Sequence, residues 1–154
     1  MHLSLRFEDR SSKHEDVVLR LGGSWWLCDS YYFAIDQNVL PDQEDAAKVR
    51  IVLRHLLDQW LFAIEQLPDG GTAYLPYDFS DQCTSWLACT RSAGEIALAH
   101  GWADVEGHAL CPSNLGDIRK CPQGFRSDGS PVLISIEQVI ASIRRSLMDL
   151  ACKR

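Results

Sequence analysis

Residues 72–105, TAYLPYDFSDQCTSWLACTRSAGEIALAHGWADV, decide the fold of this chain. They contain three β-prone segments, TAYLPYDF, TSWLACTR and EIALAHGWADV, which are separated by the short stretches SDQC and SAG. Segments of this length and spacing, with turn residues between them, are typical of consecutive antiparallel strands. The sequence therefore predicts a three-stranded antiparallel meander in this region.

The first of these segments shows a two-residue alternation. It assigns Leu75, Tyr77 and Phe79 to a buried face, and assigns Tyr74, Pro76 and Asp78 to an exposed face. Proline has no N–H to donate to a β-ladder, so we expect Pro76 at a sheet edge or at a bulge. The segment therefore predicts an edge strand with one buried face.

The first forty residues also have a β-pattern. Residues 2–9 alternate apolar and polar side chains, which predicts a strand with one buried face. Further along, Gly22-Gly23 separates the β-prone runs VVLRL and SWWLCDSYYFAID, and a double glycine at such a position favours a hairpin. We therefore expect a second β-meander before residue 40.

The adjacent pair Trp25-Trp26 falls inside this second meander. Successive side chains of a strand point to opposite faces, so one of the two indoles must point away from the core. An outward indole needs cover. We expect the C-terminal helix or the loop over residues 111–129 to supply it, with a protein partner as the alternative.

Two amphipathic helices are predicted, over about residues 43–66 and 136–151. The first has an N-cap candidate at Asp42 and is ended by Pro68-Asp69-Gly70-Gly71. The second follows Ser135, which stands three residues before Gln138 at the spacing of a capping box. The apolar stripe of the first helix consists of Val49, Val52, Leu53, Leu56, Trp60, Leu61 and Ile64. That of the second consists of Ile136, Val139, Ile140, Ile143, Leu147 and Leu150.

These elements together predict an α+β fold. A largely antiparallel sheet, or meander, carries both helices on one face, because each helix has a single apolar stripe to bury. The chain has no repeat and no linker that would divide it, so residues 1–154 are expected to form one domain. Residues 111–129 are rich in Pro, Gly, Ser and Asp and are predicted to form a long loop.

Charge and hydropathy bear on the class of partner. Fifteen Lys and Arg residues against twenty-one Asp and Glu residues give a formal net charge of −6. Such a chain repels phosphate polyanions overall, and its densest basic cluster is Arg144-Arg145, so nucleic acid is not an expected partner. No apolar run approaches the length that spans a bilayer, and the N-terminus has no secretory pattern. We expect a cytoplasmic protein that does not bind membranes.

The six cysteines fit this location. None forms a C-x-x-C pair, and in the cytosol they are expected to be reduced. Zinc sites usually announce themselves by close Cys or His pairs, and here the only close pair is His108 and Cys111. We therefore expect no metal and no other cofactor.

Carboxylates give the chain its best catalytic candidates. Asp78, Asp81 and Glu106 could gather at one end of the sheet, where paired carboxylates bind a metal or divide the roles of acid and base. His108 lies two residues beyond Glu106 and completes this set. A small metal-dependent or acid/base hydrolase built on these four residues is one hypothesis.

An acidic and aromatic face gives a different hypothesis. Tryptophan anchors protein interfaces, and a negatively charged surface attracts a basic partner. The expected partner-binding residues are Asp78, Asp81, Trp86, Trp102, Asp104 and Glu106.

The segments YLPYDFSDQCTSWLACTR and GWADVEGHALCPSN carry a resemblance. They are similar to segments shared by a group of small uncharacterised bacterial α+β proteins with an LPYDFSDQ…W motif and a following GW…EG motif. The chain also resembles the acidic, tryptophan-containing α+β immunity proteins that accompany bacterial toxins. The resemblance covers about forty residues and implies a cytosolic protein that neutralises a partner, such as a basic toxin, by binding it; it assigns no residue a role.

Three hypotheses follow. The favoured one is a non-enzymatic binding protein of immunity type. The second is the hydrolase described above. The third is a homodimeric structural protein whose exposed tryptophans pair across a two-fold axis.

Overall fold

The structure, a computed structural model, describes residues 2–8, 14–40 and 45–152. It contains two antiparallel sheets, three α-helices and a 3-10 turn over Gly107–Ala109. The strands are, in chain order, β1 (Leu3–Phe7), β2 (Val17–Leu21), β3 (Ser24–Cys28), β4 (Thr72–Phe79), β5 (Thr84–Ser92), β6 (Glu95–Ala103), β7 (Arg126–Ser127) and β8 (Val132–Ser135). The helices are α1 (Tyr31–Ala34), α2 (Ala46–Glu65) and α3 (Ile136–Cys152).

The α+β prediction is confirmed. Strands β1, β2 and β3 form one sheet in that order, and β4, β5 and β6 form the predicted meander of the other. The short strands β7 and β8 both pair with β6. The β-pattern thus divides into two sheets, and the core lies between their inner faces and the two long helices.

Strand β4 contains a bulge. Leu75 pairs with Leu87 and Pro76 with Trp86, but the next pair is Asp78 with Ser85, so Tyr77 is the extra residue. The position of Pro76, in an edge strand and next to a bulge, is as predicted.

The burial pattern of β4 agrees only in part with the alternation. The three residues predicted to be buried, Leu75, Tyr77 and Phe79, are at most 1% exposed. The expected exposure of the other three is wrong, because Pro76 is buried and both Tyr74 and Asp78 are half-buried. A bulge inserts one residue and so changes the face to which the following side chain points.

Helix α2 connects the sheets. Its predicted stripe is buried except for Leu61, which is half-buried, and the Trp60 indole N–H donates to the carbonyl of Pro76 at 3.1 Å. The expected N-cap, Asp42, lies outside the described residues. Asp45 has extended backbone, and its carboxylate accepts the N–H of Lys48 at 2.9 Å, so the described helix begins at Ala46.

Helix α3 packs along β1 and against α2. It buries Val139 and Ile143, and the Ser135 hydroxyl accepts the N–H of Gln138 at 3.2 Å at its start, as the capping spacing predicts. No helix among the described residues is long and apolar enough to cross a membrane.

The second meander ends earlier than predicted. Strand β3 stops at Cys28, and residues 31–34 form the one-turn helix α1. Asp29 and Ser30 are both residues that favour helix starts: the Asp29 carboxylate accepts the N–H of Tyr31 at 2.8 Å, and the Ser30 carbonyl accepts that of Ala34 at 3.1 Å.

The predicted loop over 111–129 contains only the two-residue strand β7. It closes the outer edge of β4, where the N–H of Tyr74 donates to the carbonyl of Ile118 at 2.7 Å. Phe125 makes an edge-to-face contact with the ring of Tyr74 at 5.6 Å.

Candidate functional site

The tryptophan pair lies on β3. A two-residue turn over Gly22-Gly23 joins β2 to β3, and Gly22 has a φ of +60°, which suits a type II′ hairpin. Trp25 then points outward and is 57% exposed. The expectation that α3 or the 111–129 loop covers it is therefore wrong.

Trp26 points the other way. Its indole stacks on the imidazole of His100 in β6, with ring centroids 4.3 Å apart and planes 28° apart. This contact joins the edge of the first sheet to the end of the second. It places an aromatic wall beside residues that come from β4, β5 and β6.

Behind this wall, the Tyr77 hydroxyl makes a short hydrogen bond with Nδ1 of His100. Burial raises the pKa of Tyr77 well above its usual range; the charge of Asp78 acts in the same direction, and a hydrogen bond with Ser85 opposes it. Burial lowers the pKa of His100, although the charge of Asp128 opposes this. A lowered pKa favours the neutral imidazole, and because the raised pKa of Tyr77 keeps its hydroxyl protonated, we assign Nδ1 as the acceptor and place the ring proton on Nε2.

Asp78 is the acidic member of the site. Its carboxylate accepts the backbone N–H of Asp29 at 3.0 Å. Burial raises the pKa of Asp78 to about 6; the charge of Asp29 adds to this effect, and the backbone hydrogen bond opposes it. The β4 bulge produces this environment. It pairs Asp78 with Ser85, so the side chain of Asp78 points to the sheet face opposite to that of Pro76.

These residues surround an open cleft of about 370 Å³. Its lining has two indoles, one carboxylate and, among the residues the structure describes, no Lys or Arg. The lining residues are Trp26, Leu27, Tyr77, Asp78, Cys83, Ser85, His100 and Trp102.

Two of the six expected partner-binding residues, Asp78 and Trp102, line this cleft. Asp104 lies close by on the rim, where its carboxylate pairs with Arg126 at 3.0 Å. The guanidinium of Arg126 also lies over the Trp102 ring, 5.8 Å from its centroid. The indole of Trp102 is thus already in contact with one cation.

Asp81, Glu106 and His108 form a separate surface group that does not line the cleft. The Asp81 carboxylate accepts the hydroxyl of Tyr32 at 2.5 Å, and this hydrogen bond raises the pKa of Tyr32 to about 12. Glu106 pairs with His108 at 3.1 Å. The N–H of Gly107 between them donates to the carbonyl of Ser80 at 2.7 Å, so the backbone that carries Glu106 and His108 lies next to the backbone that carries Asp81.

Trp86 does not belong to either surface. It is 5% exposed, and its indole N–H donates to the Thr84 hydroxyl at 2.7 Å. Trp86 is paired with Gly101 of β6, and its side chain points to the face of the sheet opposite to that of Leu87. Its expected role as a contact residue is therefore corrected: an indole buried on that face cannot reach a partner.

The residues do not assemble a metal site. No group of three His, Cys, Asp or Glu side chains in the described ranges could hold a metal ion. Cys111 is a free thiol that donates to the Asp36 carboxylate at 3.2 Å, whereas His108 is engaged by Glu106. The donor set needed by the metal-dependent hypothesis is thus not brought together in this part of the chain.

The sequence patterns do not identify Trp26, Tyr77, Ser85 or His100 as site residues. One signal pointed to them: His100 has the same parity as Ile96 and Leu98, so a titratable side chain occupies a core-facing position of β6. Such a residue needs a polar partner.

Comparisons with protein-family models, with curated proteins and with solved structures gave no match.

Proposed function

We propose that this protein acts in the cytoplasm by binding a basic partner protein, as an inhibitor of immunity type. The surface that binds consists of the cleft described above and the outward side chains of β3, Trp25 and Leu27. The observation that carries the proposal is the position of a 57% exposed tryptophan beside a cleft lined by two more indoles and a carboxylate.

The composition of this surface supports binding to a protein. Protein interfaces are enriched in tryptophan and tyrosine at their centre, and such residues contribute most of the binding energy. Trp25 and Leu27 are exposed neighbours on the same face of β3, and a contiguous exposed apolar patch is characteristic of an interaction site. The resemblance to immunity proteins agrees with this proposal.

Charge supports a basic partner. The chain has a net charge of −6, Asp78 lines the cleft, and Asp128 stands beside His100, whereas the carboxylate of Asp104 is already paired with Arg126. Opposite charge accelerates encounter and fixes orientation, while desolvated aromatic contacts slow dissociation.

The test is a quantitative capture experiment. Tagged wild-type protein and three variants are incubated with lysate of the source organism, and each captured protein is then purified and titrated against them. We expect one basic partner with 1:1 stoichiometry, bound at least ten-fold more weakly by Trp25→Ala and by Asp78→Asn. Phe62→Ala is the matched control, because Phe62 is also exposed, at 67%, but lies on α2 away from the cleft. A partner whose affinity depends on Phe62 and not on Trp25 or Asp78 would contradict the proposal.

A second candidate is acid/base chemistry at the same cleft. The pKa of Asp78, raised to about 6, would suit a general base, and Ser85 and His100 stand beside it. Nδ1 of His100 is occupied by the Tyr77 hydroxyl, so the imidazole presents a donor and not a base. The other three residues of the predicted catalytic set, Asp81, Glu106 and His108, lie outside the cleft, so Asp78 is the member of that set that lines it.

A screen of ester, amide and glycoside substrates separates the two candidates. A hydrolytic activity whose rate rises with pH through about 6, and which Asp78→Asn abolishes, would favour the enzyme. The binding proposal predicts no such activity.

A further inference from the structure

We propose that β3 is a docking edge, to which an extended segment of the basic partner adds as a fourth strand of the first sheet. The segment alternates apolar residues, which pack on Trp25 and Leu27, with basic residues, which face the cleft and Asp78. This inference rests on the proposed function and specifies how the partner is held.

The backbone of β3 is arranged for such an addition. β3 lies at the edge of its sheet, and its two-residue turn makes Leu21 and Ser24 a hydrogen-bonded pair. Hydrogen-bonded and non-hydrogen-bonded pairs alternate in antiparallel strands, so the N–H and C=O groups of Trp25 and Leu27 point away from β2. Within residues 2–8, 14–40 and 45–152, no backbone hydrogen bond from outside the sheet reaches either residue.

The sequence of β3 lacks the devices that normally protect an edge. Ser24-Trp25-Trp26-Leu27-Cys28 has no charged residue, no proline and no bulge against β2. Natural edge strands usually carry at least one of these, because a bare apolar edge pairs with other strands.

The other long edges of the two sheets are covered. On β1, the N–H of Leu5 donates to the hydroxyl of Ser146 in α3 at 3.3 Å. On β4, the N–H of Tyr74 donates to Ile118, and Pro76 has no N–H to offer. Strands β7 and β8 are only two and four residues long. Among the described strands, β3 is therefore the long edge that no other part of the chain covers.

The two faces of an added strand would meet different surroundings. On one face its residues would lie beside Trp25 and Leu27, which are 57% and 38% exposed and favour apolar neighbours, although Leu27 also contributes to the lining at the end of the cleft. On the other face they would lie beside Trp26, whose indole forms the wall of the cleft that contains Asp78. This difference between the faces gives the apolar and basic alternation of the segment.

Charge selects the residue type on the cleft side. Asp78 is the carboxylate of the lining, Asp29 stands next to it, and the described lining has no Lys or Arg to neutralise it. An arginine suits this place best, because its planar guanidinium stacks on indoles as well as pairing with carboxylates. Arg126 over Trp102 is an example of the same contact within the chain.

The test uses a synthetic peptide of alternating valine and arginine, about eight residues long, which matches the length of a typical strand. Its binding to the full chain is measured by titration and by hydrogen exchange of single amides. We expect binding in the micromolar to millimolar range, with slowed exchange at the amides of Trp25 and Leu27. A peptide with N-methylated alternate amides is the control and should bind at least ten-fold more weakly.

A matched pair of variants isolates the backbone contribution. Leu27→Pro removes an outward N–H that β2 does not use, whereas Leu27→Ala removes only the side chain. We expect Leu27→Pro to lose peptide binding at least ten-fold relative to Leu27→Ala, with both variants folded by circular dichroism. The substitution Asp78→Asn should weaken binding of the valine and arginine peptide. It should leave binding of an analogue with glutamine in place of arginine unchanged.

Three results would overturn the inference. They are no peptide binding at about 1 mM, equal binding by Leu27→Pro and Leu27→Ala, or protection of amides that excludes Trp25 and Leu27. If the captured partner still requires Trp25 and Asp78 in these cases, the proposed function stands and only strand addition fails. A self-association in sedimentation that Leu27→Pro abolishes would assign the edge to a second copy of the chain and overturn the inference as well.

Discussion

Burial of the charged Asp78 carboxylate lowers the stability of the folded protein. Its folded-state pKa of about 6 lies above the ordinary value of 3.8, so the folded chain binds a proton more tightly than the unfolded chain. The penalty is absent below about pH 4, grows as pH rises through the interval between the two values, and is complete above about pH 6. A carboxylate kept at such a cost is typical of a functional site.

We therefore predict that Asp78→Asn stabilises the isolated protein at neutral pH. Asparagine retains an oxygen for the N–H of Asp29 but carries no charge to desolvate. Urea unfolding should give a gain of about 1–3 kcal/mol near pH 7 that disappears near pH 4. A destabilised variant at neutral pH would show that the carboxylate supports the fold, contrary to this account.

The contact between Tyr77 and His100 gives a second prediction about single residues. Removing the hydroxyl by Tyr77→Phe frees Nδ1 of His100 and removes the hydrogen bond that favours the neutral ring. We expect the pKa of His100 to rise while burial still holds it below the ordinary 6.5, with a loss of stability of about 1 kcal/mol.

Nitrogen-15 NMR titration measures both the pKa and the tautomer. The wild-type ring should carry its proton on Nε2 at pH 7. An unchanged His100 pKa in the variant, or an Nδ1–H tautomer in the wild-type protein, would contradict the assignment.

At the scale of the element, β6 depends on glycine where β7 approaches it. A Cβ on Gly101 would come within 2.3 Å of the carbonyl oxygen of Arg126, whereas a Cβ on Gly94 would meet nothing within 4 Å. We predict that Gly101→Ala displaces β7 and the end of the 111–129 loop and costs about 1–3 kcal/mol. The free energy of unfolding of Gly94→Ala should lie within about 0.5 kcal/mol of the wild-type value.

Urea unfolding and proteolysis of the loop check this prediction. The loop of Gly101→Ala should be cut faster by a protease than that of Gly94→Ala. Equal stability and equal cleavage would mean that the loop is not held by the contact between Gly101 and Arg126.

The type of each long element could be predicted, but not its boundaries or the face of every residue. The alternation of Leu75, Tyr77 and Phe79 predicts their burial because a strand has a fixed period. The bulge at Tyr77 changes the environment of Asp78, and only the pairing with β5 reveals it. The start of α2 differs for a similar reason, since several acidic residues compete for the N-cap and Asp45 makes the hydrogen bond.

At the scale of the whole molecule, the division of the strands into two sheets could not be predicted. Pairing between distant segments depends on how they pack in space, and the contact of Trp26 with His100 joins residues far apart in the chain. The candidate site is assembled across this division. For that reason, the sequence identified Asp78 and Trp102 but not the cleft between them.

Net charge gives a prediction at this scale. A chain of charge −6 that recognises a basic partner should associate faster at low ionic strength. Stopped-flow measurements with the captured partner should show an association rate that falls by ten-fold or more between about 0.02 and 0.5 M salt, with a dissociation rate that changes far less. A salt-independent association rate would argue against electrostatic recognition.

The central claim is that a partner binds at the cleft and the adjacent β3. Hydrogen exchange on the purified complex with the captured partner tests it most directly, because it needs no substitution. We expect slowed exchange at residues 24–28 and at the strand ends around Asp78 and Trp102, with no change on the exposed face of α2 around Phe62. Protection around Phe62, with residues 24–28 exchanging as in the free protein, would contradict it.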